Sequence, residues 1–240
     1  MRVLVEATGE VGQRTANVLL AERTVDFIGI WNSAGTRRTA RTGPARDVDG
    51  FDIAVSDSLT PRPHLIARCA VAGIPIVLWA DDAGAAPGAA VAPVVTGANL
   101  GSALTAALLS HPTARPEPGE PVRVAWTEPG KPHRRGEQIA FPDPVGVSTA
   151  KRRADGRFVA RRSDDWAGVV VQVGPDDAPR VVGVADHAAH LEALVLAAAT
   201  LVTADGAFPP GVHDAADAGE QLLNALTRVE LDVASWRSNT

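Results

Sequence analysis

Val3-Leu4-Val5-Glu6-Ala7-Thr8-Gly9-Glu10-Val11-Gly12 opens the chain after Met1 and Arg2. Val3 to Val5 is a short apolar run of strand-forming residues, and the glycines behind it mark a tight turn. Beyond the turn, Val11, Ala16, Val18, Leu19 and Leu20 follow a helical pattern. Strand, glycine turn and helix in that order make a pyrophosphate-binding unit. Glycine lets backbone approach the anion, and the helix N-terminus aims N–H groups at it. Gly9 and Gly12 fall on the second and third positions of G-x-G-x-x-G, with Ala7 on the first. Thr8, Gly9, Glu10, Val11 and Gly12 are therefore the expected pyrophosphate contacts.

The pattern repeats outward from this start. Phe27 to Trp31, Phe51 to Val55, Ile74 to Trp79 and Ala92 to Thr96 read as further strands. Pro61 to Ala72 and Ala98 to Leu109 read as helices, the first stopped by Gly73 with Pro75 beyond. Asn32 to Arg46 is polar and basic and reads as loop. Strands alternating with helices imply a parallel sheet with right-handed crossovers, and strands without strict alternation fit a sheet covered on both faces. The expected fold is α/β, with a Rossmann-like parallel sheet over residues 1–111.

At the end of the second strand a dinucleotide site usually carries an acid for the ribose. Here Trp31-Asn32-Ser33-Ala34-Gly35-Thr36-Arg37-Arg38 holds no acid. Guanidinium groups suit a 2′-phosphate, so the expected cofactor is NADP (NADPH), held by Arg37 and Arg38 with Asn32 and Ser33 beside them. Ser56, Asp57 and Ser58, and then Ala80, Asp81 and Asp82, fall at carboxyl ends of parallel strands, where ligands collect. Asn99, in Thr96-Gly97-Ala98-Asn99-Leu100-Gly101-Ser102, is both a candidate ligand contact and a helix N-cap. Asp81-Asp82 reads as a cap or solvated surface rather than a metal or catalytic pair.

The opening segment resembles the V-L-V-x-G-A-T-G-x-x-G start of reductases related to saccharopine dehydrogenase, and the order of parts resembles the dihydrodipicolinate reductase group. The resemblance covers about residues 1–110 and is architectural beyond them. It implies an N-terminal Rossmann domain followed by an α+β domain that holds substrate and mediates oligomers. It also implies that the Gly97-Ala98-Asn99-Leu100-Gly101 turn lies beside the nicotinamide. Glu6 stands where those sequences carry their first glycine, so its carboxylate must turn away or pair with a base such as Arg37. The paired histidine and lysine motif of a dihydrodipicolinate reductase is missing, and that reaction is not carried over.

Ser110 to Pro121 is rich in proline and reads as a linker. Short runs follow at Val122–Thr127, Arg157–Arg161, Val169–Val173 and Arg180–Val184, with Asp155-Gly156 as a tight turn. A long helix is expected at Ala188–Thr203, with Leu191, Leu194, Val195, Ala198, Leu201 and Val202 on one face. A helix at Ala215–Thr227 and a strand at Val229–Val233 close the chain. This makes an α+β unit over residues 121–240, mainly an antiparallel sheet backed by helices, whose last strand returns to either sheet. Lys131, His133 and Asp143 are its candidate catalytic residues, with Arg134 and Arg135 as carboxylate binders. His187 and His190 share a helical face but lack a third ligand, so no metal site is expected. His213 is a candidate general acid by residue type alone.

The chain has 240 residues, 45% of them apolar and 21% charged, with a net charge of −5. That is a globular composition, and it argues against nucleic-acid binding by bulk charge. One cysteine, Cys69 in an apolar run, excludes an internal disulfide framework and fits the cytoplasm. No apolar stretch spans a bilayer. No phosphate-loop lysine motif and no nucleophile elbow occur, and the absence of tyrosine removes the base used by short-chain dehydrogenases. The expected function is NADPH-dependent reduction of a small carbonyl or imine substrate by a cytoplasmic homo-oligomer. The rival is a Rossmann-like binding or regulatory protein, or a partner subunit, without hydride transfer. Replacing Arg37 is expected to weaken NADPH binding more than NADH binding in a titration. Equal losses, or none, remove Arg37 from the 2′-phosphate site.

Overall fold

The computed structural model describes residues 1–31, 39–60, 63–84 and 91–237. Strands β1 (Arg2–Glu6), β2 (Phe27–Trp31), β3 (Thr42–Ala45), β4 (Ile53–Ser56), β5 (Ile76–Leu78) and β6 (Pro93–Thr96) build the first sheet, joined later by β13 (Gly211–Asp214). All seven run parallel in the order β13-β6-β5-β4-β1-β2-β3. Alternate side chains serve two layers. Val3, Val5, Ile53 and Val55 pack toward helix α1 (Glu10–Ala21), while Leu4 and Ala54 pack toward α2 (Pro63–Ala72) through Leu65, Ile66 and Cys69. This is the expected doubly covered Rossmann-like sheet.

The second sheet holds β7 (Val122–Pro129), β8 (Glu137–Ala140), β9 (Val147–Arg152), β10 (Phe158–Arg162), β11 (Trp166–Val173), β12 (Arg180–His187) and β14 (Ala234–Arg237). Its order is β14-β12-β11-β7-β10-β9-β8, antiparallel except between β10 and β7. Val169, Val171 and Val173 face the main core, and Val170 joins a second cluster with Ile139, Phe141 and Val145 on the other face. That outer face is thus partly covered by the chain's own β8–β9 segment.

Helix α4 (Ala188–Ala204) lies between the two sheets, packing on β4 and β5 of one and β11 and β12 of the other. Helices α1, α3 (Thr105–Leu109) and α5 (Gly219–Arg228) share its layer. Burial on α4 therefore runs round the helix rather than along the single expected face: Ala193, Leu196, Ala197, Ala199, Thr200 and Thr203 are buried as well. Its two buried hydroxyls are satisfied inside the helix, Thr200 donating to the Leu196 carbonyl and Thr203 to that of Ala199.

Several boundaries differ from the sequence reading. Thr42-Gly43-Pro44-Ala45 is the edge strand β3, where a proline costs little because one side of the strand needs no partner. β8 and β9 are equally polar strands in a stretch to which the sequence reading assigned no strand. Residues 229–233 are not a strand. The C-terminal half instead sends β13 to the edge of the first sheet and β14 to the edge of the second. Residues 188–228, grouped by sequence with the second unit, thus supply a strand and helices to the first. The proline-rich 110–121 segment is fastened, since Arg180 donates to the carbonyls of Thr113 and Arg115 and to Glu120.

Because one helix serves both sheets, Leu196→Ala, which truncates a fully buried α4 side chain, is expected to cost about 2–5 kcal/mol. In chemical denaturation, far-UV circular dichroism and tryptophan fluorescence should shift together. Two separated transitions would show that the sheets unfold independently.

Candidate functional site

The glycine turn between β1 and α1 forms the expected cradle of N–H groups, and a side chain of the protein fills it. Asp57 lies one residue beyond β4, beside β1 in the sheet. Its Oδ1 accepts from the Thr8 amide and the Thr8 hydroxyl, both at 2.7 Å. Its Oδ2 accepts from the amides of Gly9 at 3.0 Å and Gly12 at 2.8 Å. The carboxylate is buried and sits at the positive end of α1. Gly12 admits no side chain, because a Cβ there would lie 2.6 Å from the Ala7 Cα and 2.7 Å from Asp57 Oδ2.

Glu6 turns to the neighbouring strand end, where the Ser56 hydroxyl donates to its Oε2 at 2.5 Å. The expected partner Arg37 lies outside the described residues, as do Asn32, Ser33 and Arg38. Glu10 pairs with Arg14 one turn along α1, and Glu10 and Val11 border a cavity of about 310 Å³ next to the cradle. The donor chemistry fits a pyrophosphate: three amides and a hydroxyl converge on one oxyanion, with the Asp57 carboxylate standing in for it.

A larger cavity of about 760 Å³ opens at the carboxyl ends of β5, β6 and β13, roofed by the second sheet and α4. On the Rossmann side, Asn99 is committed to structure. Its amide nitrogen donates to the Trp79 carbonyl at 3.1 Å and to Asp81 at 2.6 Å, and its oxygen accepts from the Ser102 amide at 3.1 Å. Asn99 is thus the expected cap, opening a wide π-type turn, Leu100–Leu104, ahead of α3. Gly97 stands at φ +67, backbone that glycine alone adopts freely. Ala80 and Asp81 line the same cavity, and Asp82 accepts from Gly84 in a local turn.

The opposite wall is the Trp126 indole, against which Gly101 packs so closely that a Cβ would sit 3.2 Å away. Arg153 and Arg157 lie over the ring at 5.4 and 5.1 Å. Arg157 donates to the Gly101 carbonyl at 2.7 Å, tying the two walls together.

Glu192, on the second turn of α4, completes the lining. Burial pushes its carboxyl up to about 7, so a substantial fraction carries a proton at neutral pH. In the sequence it is merely the acid that interrupts an apolar run, yet a lone acid among buried helix positions is itself a signal. Trp126, Arg153 and Arg157 were also not assigned to a site by the sequence, and Asp57 was read only as a strand-end residue.

The structure does not bring Lys131, His133 and Asp143 to this cleft. They sit on the loops flanking β8, which is the outermost strand of the second sheet, with Lys131 and Asp143 exposed. The chain leaves the cavity wall at Pro129, just before Lys131. Arg134 and Arg135 are likewise exposed. His190 bonds Asp186 at 2.6 Å, His187 stacks on Trp166 at 4.1 Å, and His213 packs against Phe208. No group of three or more metal-binding side chains converges among the described residues. Cys69 is buried and its thiol is pushed up to about 12 by desolvation, an inert group.

The Glu192 shift carries a sign for stability. The folded state holds this proton above the pH at which the unfolded chain releases it, so its contribution falls as pH rises from about 4.5 to above 7. Glu192→Gln should remove that slope, gaining on the order of 2–3 kcal/mol over the natural chain at pH 8 but little at pH 4.5. Urea midpoints across that range provide the check, and parallel curves would contradict it.

No protein-family model and no curated protein matches the chain. Solved structures do. A dipicolinate-bound dihydrodipicolinate reductase from Paenisporosarcina sp. TG-14 matches at 10% identity and TM-score 0.50, over 90% of this chain and 98% of that one. An engineered D-amino acid dehydrogenase bound to NADP+ matches at 15% identity and TM-score 0.53, over 96% and 99%. At such identities the likeness is one of fold: this chain has the two-sheet architecture of those reductases and dehydrogenases, with a Rossmann-like sheet first.

Proposed function

We propose that this chain is an NADP(H)-dependent oxidoreductase that reduces a small carbonyl or imine compound in the cleft between its two sheets. The observation that carries the reading is that cleft. It lies at the carboxyl ends of the Rossmann-like strands, beside the Asn99 turn, and contains a carboxyl that burial keeps partly protonated near neutral pH. The fold shared with an NADP+-bound dehydrogenase supports it.

In this reading the amides of Thr8, Gly9 and Gly12 hold the pyrophosphate, and Arg37 and Arg38 hold the 2′-phosphate. The bound cofactor supplies hydride. The Asn99–Gly101 turn borders the reacting end of the cleft. Trp79 and Trp126 limit water there, Arg153 and Arg157 attract a substrate carboxylate, and Glu192 gives a proton to the oxygen or nitrogen being reduced. Glu192 thereby replaces Lys131, His133 and Asp143 as the proton donor. A cytoplasmic homo-oligomer belongs to the same proposal, and sedimentation would measure its size.

Titration with NADPH and NADH, followed by nicotinamide fluorescence and energy transfer from tryptophan, should show preference for NADPH. A screen of keto acids and imines should then show turnover that declines above pH about 7. Glu192→Gln should lower kcat by roughly 10²- to 10⁴-fold with less change in KM. Binding of neither NADPH nor NADH to the folded protein would overturn the proposal. One observation favours the second reading, a binding protein without hydride chemistry: the phosphate cradle is already satisfied by Asp57.

A further inference from the structure

We propose that Asp57 is a built-in competitor for the pyrophosphate cradle, so that a phosphate-bearing ligand binds only by displacing it. The inference rests on the dinucleotide reading above for its natural ligand, but the competition itself is a property of this chain.

Each amide has one hydrogen. Those of Thr8, Gly9 and Gly12 all point at Asp57, and so does the Thr8 hydroxyl. A pyrophosphate oxygen cannot reach them at bonding distance while the carboxylate stays. It would also meet a like charge in a buried, weakly screened place. Space at the cradle is tight, since a Cβ on Gly12 would lie within 2.7 Å of both Ala7 and Asp57. The cradle is therefore well formed without ligand, and its positive end is already compensated.

Space for the displaced side chain lies next to it. The 310 Å³ cavity is bounded by Thr8, Gly9, Asp57, Ser58, Leu59 and Trp79. Leu59 and Trp79 also line the main cleft, so the segment carrying Asp57 borders both spaces. Among the described residues, the Ser58 and Thr60 amides donate to nearby hydroxyls, those of Ser56 and Ser58, and Leu59 is 74% exposed. A ligand filling the cleft against Trp79 and Leu59 thus touches the segment whose movement opens the cradle. Displacement lowers apparent affinity in proportion to the fraction of molecules with Asp57 withdrawn.

The test uses the full chain and two variants, Asp57→Ala and Asp57→Asn, with folding checked by circular dichroism. Inorganic pyrophosphate and NADPH are titrated separately by calorimetry, and the melting temperature is read with and without pyrophosphate. Asp57→Ala should bind pyrophosphate at least about tenfold more tightly than the natural chain. It should melt lower without ligand and gain more on adding pyrophosphate. Asp57→Asn keeps the shape but turns a charged acceptor into a neutral amide, and should show a smaller gain in the same direction. It decides the matter should the alanine variant not fold. Tight pyrophosphate binding by the variants with no NADPH binding would uphold the competition and overturn the dinucleotide reading. NADPH binding by the natural chain that weakens in the variants would do the reverse, making Asp57 a support of the loaded cradle. Pyrophosphate affinity unchanged in both folded variants overturns the proposal.

Discussion

Helix α4 has no solvent side over most of its length. It is pressed by β4 and β5 from one direction and by β11 and β12 from the other, and the core it fills runs without a break from Val3 to Leu231. Burial of that kind sets what the rest of the chain does. An apolar helix between two sheets draws both into one cooperative core, and hydrophobic burial is the largest favourable term in holding them together. It also explains why the last quarter of the chain returns to the first sheet. With α4 laid across β4 and β5, the segment after it is delivered to the free edge at β6, where β13 pairs in parallel.

The same helix makes the cleft. Its first two turns emerge above the carboxyl ends of the Rossmann-like strands, so Glu192 is carried into a cavity instead of solvent. Burial that stabilises a leucine at the next positions penalises a carboxylate here, which is why this acid holds its proton to about pH 7. A few ångströms of architecture thus convert an interruption in an apolar run into the cleft's one strongly shifted acid among the described residues.

The cradle shows the opposite use of a carboxylate. Asp57 accepts from three amides and a hydroxyl at a helix N-terminus, where the dipole is complemented by an acid. A glycine turn of this kind usually waits for a ligand anion, and here the anion is supplied from the adjacent strand end. Glu6, which stands where related turns carry glycine, is absorbed in the same region by the Ser56 hydroxyl. Two acids at the mouth of one anion-binding turn are thereby accommodated through hydrogen bonds.

Local chemistry determined much of this protein before any fold was known. Val3–Val5, Phe27–Trp31 and the Gly9–Gly12 turn read correctly because apolar runs and glycines report on their own neighbourhood. Asn99 read as a cap for the same reason, its partner being three residues away. Thr42–Ala45, Glu137–Ala140 and Gly211–Asp214 did not read as strands, because edge strands are made by the neighbour that pairs with them and carry little apolar pattern of their own. The cradle's occupant was equally hidden: Thr8 and Asp57 are 49 residues apart, and only the pairing of β1 with β4 sets them together. Glu192 was visible as a residue but not as a site, since an acid's proton depends on what surrounds it. Lys131, His133 and Asp143 had suitable chemistry in the sequence, but they lie on the loops flanking β8 and are not among the residues that line the cleft. The sequence by itself determined which segments pair and turn locally. The tertiary structure alone decided which charges meet, because contact between distant side chains is a property of packing and not of spacing along the chain.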